Sequence, residues 1–197
     1  MDFVVVLDSS SSVRAENWMK MKKFVRSFLS EFVVRPDSSQ FAVIRYNREV
    51  DTDTQILLNS FPDSTQAVLE KFDEIPYDGS GTRTGNALNY VANTLLRIGN
   101  RPIANDVVLL ITDGASQDDI VAPSKRIRDQ ALFYVLPVKP PQGNLNMTEI
   151  EVMAGEDQYV LRDAVEGGFD ALDVNFSRKM LALLCGNPCR NPLHDHE

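Results

Sequence analysis

Phe3-Val4-Val5-Val6-Leu7-Asp8-Ser9-Ser10-Ser11-Ser12 decides how the rest of the chain is read. Five apolar residues without a polar interruption fit a strand buried on both faces, the pattern of a central strand in a parallel sheet. The run then turns polar at once. Asp8, Ser10 and Ser12 stand at alternate positions and offer hard oxygen donors, which suit Mg²⁺, Mn²⁺ or Ca²⁺ rather than zinc or copper. The loop has a simpler reading as well: an Asp or Ser ahead of a helix is an ordinary N-cap. The run alone leaves both open.

Outward from this strand, apolar runs of strand length alternate with segments of helical period, the mark of an α/β domain. Trp18, Met21, Phe24, Val25, Phe28, Leu29 and Phe32 recur along one helix face, and Pro36 with Asp37-Ser38-Ser39 ends that region. Phe41–Tyr46 reads as a second strand and Val50–Leu58 as a third, joined by Asn47-Arg48-Glu49 in an antiparallel hairpin at one edge. Thr65–Phe72 predicts a short helix, and Ala87, Leu88, Val91, Ala92, Leu95 and Leu96 mark another. Val107–Ile111 is a second doubly buried strand. Ser124–Gln130 reads as a helix, Leu132–Val138 as a strand, Met147–Met153 as a short helix and Tyr159–Leu161 as a last edge strand. A final helix is expected over Phe169–Leu184, with Leu172, Phe176, Met180, Leu183 and Leu184 facing inward. The expected fold is therefore a doubly wound, Rossmann-like, mainly parallel six-stranded sheet with one antiparallel edge strand and helices on both faces.

The chain has 197 residues, 43% of them hydrophobic, enough for one full core. Its net charge of −8 argues against non-specific attraction to nucleic acid or anionic lipid and favours cations as ligands. No apolar run approaches the length that crosses a bilayer. Met1 leads straight into strand-like sequence, so the start fits either an intracellular protein or a domain excised from a longer chain. Cys185 and Cys189, in Cys185-Gly186-Asn187-Pro188-Cys189, follow the last helix pattern, and their spacing is not that of a zinc ribbon or finger. They read as disulfide-forming, with each other or with segments outside this sequence. Asn146-Met147-Thr148 and Asn175-Phe176-Ser177 fit the N-glycosylation pattern. These features together favour a secreted protein. His194 and His196 lie in the terminal tail and read as a disordered end rather than a metal site.

In an open parallel sheet, ligands bind outside the carboxyl ends of the strands, where strand order reverses. Three polar loops fall at that edge: Asp8 to Ser12, Gly79-Ser80-Gly81-Thr82-Arg83-Thr84-Gly85, and Thr112-Asp113-Gly114. Asp8, Ser10, Ser12, Thr82 and Asp113 place two carboxylates and three hydroxyls there, a set suited to a divalent cation with room for one more oxygen. Asp-x-Ser-x-Ser at Asp8 to Ser12, Thr-x-Thr-Gly at Thr82 to Gly85, and Thr-Asp-Gly at Thr112 to Gly114 together resemble the von Willebrand factor A domain family and its metal-ion-dependent adhesion site (MIDAS). The resemblance covers Phe3 to about Leu184, with residues 185–197 left as a cysteine-containing tail. Ser9 and Ser80 stand where many members have glycine.

The resemblance implies direct coordination by Ser10 and Ser12, direct or water-mediated coordination by Thr82, and mainly water-mediated roles for Asp8 and Asp113. It implies a module without enzymatic activity that docks partners through Mg²⁺ (or Mn²⁺ or Ca²⁺), a Glu or Asp of the ligand completing the coordination sphere. It also implies a final helix able to shift with the state of the site. The expected setting is a secreted, glycosylated, disulfide-containing matrix protein that binds collagen or another matrix or adhesion protein and has neighbouring domains in a longer chain. Arg14 and Arg83 flank the site as candidate rim residues for acidic partners, though both also read as solvated surface arginines. The alternative is an intracellular assembly platform for a multiprotein complex. Phosphoryl transfer on Asp8 would call for a second Asp two residues on, where the chain has Ser10. Nucleophilic catalysis lacks a Cys/His pair outside the tail, and the Gly-rich loop lacks the P-loop lysine.

Overall fold

In the computed structural model, which describes residues 1–185, the sheet has four strands, β1 (Asp2–Asp8), β2 (Gln40–Tyr46), β3 (Asp106–Thr112) and β4 (Leu132–Pro137). All pair in parallel in the order β2-β1-β3-β4, with Asp8 opposite Tyr46 and Leu7 opposite Ile111. The chain winds from β1 to β2 on one side and continues through β3 and β4 on the other, so the loops after β1 and β3 diverge at the switch point.

Among the described residues, seven α-helices cover the two faces: α1 (Arg14–Ser30), α2 (Thr65–Asp73), α3 (Thr84–Tyr90), α4 (Val121–Arg128), α5 (Met147–Ala154), α6 (Asp163–Gly167) and α7 (Val174–Cys185). The period-2 alternation of the strands sorts side chains between two cores. Phe3, Val5 and Leu7 face α1, α2 and α7, where Phe28, Phe72 and Phe176 are buried with them. Val4 and Val6 face α3, α4 and α5, against Leu88, Ile127 and Met153. The first core is aromatic: the Phe3 ring lies 5.5 Å from Phe28 and 5.9 Å from Phe41. Below the sheet, Arg101 donates from its backbone N–H and from Nε to the two carboxylate oxygens of buried Asp2, each at 2.8 Å, tying the loop before β3 to β1.

Four expectations are corrected. The sheet has four strands rather than six, because the two expected edge strands shrink to isolated bridges. Val50–Leu58 makes only two isolated bridges with β2, Tyr46–Val50 and Val43–Ile56. Asp51 interrupts it: Oδ1 accepts from the backbone N–H groups of Asp53 and Thr54 at 3.1 and 3.3 Å, turning the chain off the ladder. Tyr159–Leu161 keeps one parallel bridge, Val135–Val160, because a 3₁₀ turn takes Asp157–Tyr159.

The final helix starts at Val174, not Phe169. Gly168, at φ +58°, ends α6, a 3₁₀ turn takes Gly168–Ala171, and Asp173 Oδ1 accepts the Phe176 N–H at 2.8 Å as the N-cap. Leu183 is 43% exposed rather than inward-facing, whereas Leu172, Phe176, Met180 and Leu184 are buried. The expected helix over Ala87–Leu96 also widens into a π turn at Val91–Leu95, where Leu96 N–H donates to Val91 C=O at 3.0 Å. Cys189, His194, His196 and the expected disulfide lie outside the described residues, as does the side chain of Cys185. Among the described residues, no helix is long and apolar enough to cross a membrane.

Candidate metal centre

β1 delivers Asp8 to the sheet edge fully buried. Its Oδ1 accepts the Ser10 N–H at 2.8 Å, which folds the loop back on itself, and its Oδ2 accepts from the Thr112 hydroxyl at 2.7 Å. The Ser10 and Ser12 hydroxyls lie 3.0 Å apart, and Ser12 donates to Asp113 Oδ1 at 2.8 Å. The first and third loops thus meet in a row of oxygens, Ser10, Ser12 and Asp113. Asp113 Oδ2 is buried and has no hydrogen-bond partner among the described residues.

Burial raises the pKa of Asp8, and burial together with the charge of Asp8 raises Asp113 to about 7. Two inward carboxylates, an orphaned oxygen and a row of neutral hydroxyls describe a site short of positive charge. That donor set fits a hard divalent cation. Among the described residues there is no cluster of three or more His, Cys, Asp or Glu side chains suited to a metal. A cation here would rest on the serine hydroxyls as much as on the two acids.

The second loop is brought in by main-chain bonds. Ser11 N–H donates to Ser80 C=O at 2.9 Å, and Arg83 N–H to Asn47 C=O at 2.8 Å. Gln117 grips Thr82 from both sides, donating its N–H to Thr82 C=O at 2.7 Å and accepting the Thr82 N–H on Oε1 at 3.2 Å. Thr82 is buried, and its hydroxyl has no hydrogen-bond partner among the described residues. Gly85 has a steric reason: a Cβ there would stand 1.9 Å from the Asp119 carbonyl oxygen.

Ser116, Gln117 and Asp118 carry the roles that sequence reading missed. The residue before α3 is Arg83, which provides no side-chain cap. Asp118 supplies one from 33 residues away, accepting Gly85 N–H on Oδ1 and Asn86 N–H on Oδ2, both at 2.8 Å. Ser116 Oγ accepts the Thr84 N–H at 3.1 Å and donates to Asp118 at 2.6 Å. The only hint in the sequence is a polar run between Gly114 and Ile120 longer than a turn needs. Of the two rim arginines, Arg83 lies 3.7 Å from Glu49. Arg14 is exposed and holds φ +65°, in the left-handed region that disfavours a side chain.

The family model described as von Willebrand factor type A domain matches residues 2–169. The chain belongs to that family. As a von Willebrand A domain it is 30% identical over 158 residues to the collagen alpha-1(XII) chain of Notophthalmus viridescens, covering 79% of this chain and 16% of that one. It is 30% identical over 197 residues to the human collagen alpha-5(VI) chain, covering 98% of this chain and 7% of that one. The chain therefore spans only a small part of these relatives.

The structure of proximal thread matrix protein 1 from the mussel byssus aligns with a TM-score of 0.80 at 25% identity, over 93% of this chain and 47% of that one. A further structure of the mussel protein, at TM-score 0.79 and 25% identity over 93% of this chain and 48% of that one, has zinc in its MIDAS motif. Manganese-loaded TRAP protein of Plasmodium vivax aligns at TM-score 0.68 and 20% identity, over 81% of this chain and 66% of that one, a likeness of fold.

Proposed function

We propose that this von Willebrand A domain is a cation-dependent docking module of a secreted matrix protein. Asp8, Ser10, Ser12, Thr82 and Asp113 hold Mg²⁺, or Mn²⁺ or Ca²⁺, and a carboxylate of the partner completes the coordination. The observation that carries this reading is the row from Ser10 through Ser12 to Asp113, ending in a buried carboxylate oxygen with no partner among the described residues. When bound, the cation supplies a positive charge with affinity for one further oxygen. Asp8 shapes the first loop through Ser10, Thr112 holds Asp8, and Gln117 fixes the main chain at Thr82. Binding rather than catalysis fits these residues, because Ser10, where an acid would serve phosphoryl transfer, instead bonds Ser12.

Kinship with collagen chains supports collagen or another matrix protein as the partner. The working unit is residues 1–184, with 185–197 leading toward neighbouring domains and Cys185 and Cys189 forming disulfides. Asn146 and Asn175 are both exposed, as glycan attachment requires. Asn146 Oδ1 caps α5 by accepting the Glu149 N–H at 3.3 Å, a role that modification of Nδ2 leaves intact.

The test pairs metal titration by calorimetry with binding to immobilised fibrillar collagen in Mg²⁺ and in EDTA. Wild type is expected to bind one divalent cation per chain and to release collagen in EDTA, and Ser12→Ala to lose both properties. Collagen binding unchanged by EDTA would sink the docking role, and absence of cation uptake by wild type would sink the site itself.

A further inference from the structure

Many basic side chains of this acidic protein are held in ion pairs: Arg45 with Asp51, Arg101 with Asp2, Lys125 with Asp129 and Lys179 with Asp163. With 28 acidic residues for 20 basic ones, an unpaired cation beside the candidate metal centre stands out. Arg14 follows Ser12 by two residues, and Lys139 lies two residues beyond the end of β4. Both are exposed and have no ion-pair or side-chain hydrogen-bond partner among the described residues. They line one cleft of about 410 Å³ with Pro140, Glu166, Gly168 and Phe169.

The formal charges on the cleft lining balance, three basic against three acidic, so a preference for an anion rests on where they sit. Lys20 gathers Asp170 at 2.8 Å and Glu16 at 3.5 Å into a cluster of their own, which leaves Arg14 and Lys139 as the cations of the lining without an ion-pair partner among the described residues, beside Glu166. The backbone supports a role for Arg14. At φ +65° a glycine would be unstrained, so the fold bears a conformational cost to present an arginine at the mouth of the cleft. Lys139 is held from behind, its N–H donating to Ala164 C=O at 3.1 Å.

We infer that the cleft between Arg14 and Lys139 is a second carboxylate subsite, so that the partner is an acidic segment presenting one carboxylate to the metal centre and another to this cleft. The inference rests on the docking role proposed above and names its partner class. Adjacent strands are about 4.8 Å apart, so the loops after β1 and β4, two strands removed, are separated by about 10 Å. Acidic residues about three positions apart in an extended segment span that distance.

The probes are hexaglutamate and a glycine hexapeptide carrying one glutamate, each titrated against the full chain in Mg²⁺ and in EDTA at low salt. The readout is the ratio of their dissociation constants. Wild type is expected to favour hexaglutamate about tenfold or more. Arg14→Gly and Lys139→Gln are each expected to shrink that ratio about threefold, and Glu166→Gln to enlarge it. Arg14→Gly suits the local backbone, and a melting curve for each variant separates loss of binding from loss of fold. Equal affinity for the two peptides, or a ratio untouched by Arg14→Gly and Lys139→Gln, would overturn the subsite. Hexaglutamate binding that persists in EDTA yet falls in both variants would keep the subsite and sink the metal-docking reading.

Discussion

Asp118→Ala should weaken the fold and loosen the second loop together. Asp118 stands in for the missing N-cap of α3: its two oxygens take the N–H groups of Gly85 and Asn86, both at 2.8 Å, and the Ser116 hydroxyl at 2.6 Å. Loss of an N-cap acceptor costs about 1–2 kcal/mol. The lost attraction between a carboxylate and the helix N-terminus adds about 0.3–1 kcal/mol. Water can replace the bond at exposed Asn86 but less readily at Gly85, which is buried. The net expectation is therefore about 2 kcal/mol, or about 4–8 °C in melting temperature for a domain of this size. Urea unfolding measures the first quantity, and hydrogen exchange at the Gly85 and Asn86 amides reports the local effect. Asp118→Asn, which keeps one acceptor oxygen, should lose about half as much. An alanine variant within about 0.5 kcal/mol of wild type, or unchanged exchange at both amides, would refute the role given to Asp118.

Gly85→Ala should be more severe, at about 3 kcal/mol or more, because the new methyl meets rigid backbone at 1.9 Å and either α3 or the loop at Asp119 must shift; chemical denaturation checks it. Asp51 carries a pH dependence. Burial alone would raise its pKa, but hydrogen bonds from Thr54 and Arg45 hold it below the usual carboxylate value. Its stabilisation is thus present above the unfolded pKa of about 3.9 and fades as pH falls through the lower folded value. Melting curves of Asp51→Asn should show lower stability at neutral pH and a flatter loss toward acid. Asp106 behaves in the opposite sense: burial, then the charge of Asp2 opposite it in the register, raise its pKa, and Oδ1 is buried without a partner among the described residues. Its ionisation costs stability as pH rises past the usual carboxylate range, so Asp106→Asn should raise the neutral-pH melting temperature while leaving it little changed near pH 3.

The parts of the fold that sequence reading recovered are those recorded by local periodicity. An unbroken apolar run such as Phe3–Leu7 or Val107–Ile111 has one economical destination, a strand covered on both faces, and both runs form strands at the centre of the sheet. The heptad-like recurrence from Trp18 to Leu29 likewise leaves one face to bury, and α1 buries it. Reading failed where a single polar residue outweighed its neighbours. Val50–Leu58 has strand-like composition, yet the Asp51 carboxylate captures two backbone N–H groups that a ladder would have used. Phe169–Leu184 has helical period, yet Gly168 and Asp173 move the start of α7 to Val174.

At the site the same division holds. The order of Asp8, Ser10, Ser12, Thr82 and Asp113 along the chain is a property of the sequence, and so is their position after strands or before a helix. That β1 and β3 are neighbours, that Ser12 therefore reaches Asp113 at 2.8 Å, and that Asp113 keeps one oxygen without a partner belong to the tertiary structure. Sequence alone reads Arg83 as a rim residue and gives Asp118 no role; only the packed loops show that Asp118 caps the helix that follows Arg83. The physical reason is range. Burial periodicity and turn preference act over a few residues and leave their pattern in the chain. The partner that satisfies an orphan N–H, or the cation left unpaired beside a cleft, is chosen by which distant loops the sheet brings together.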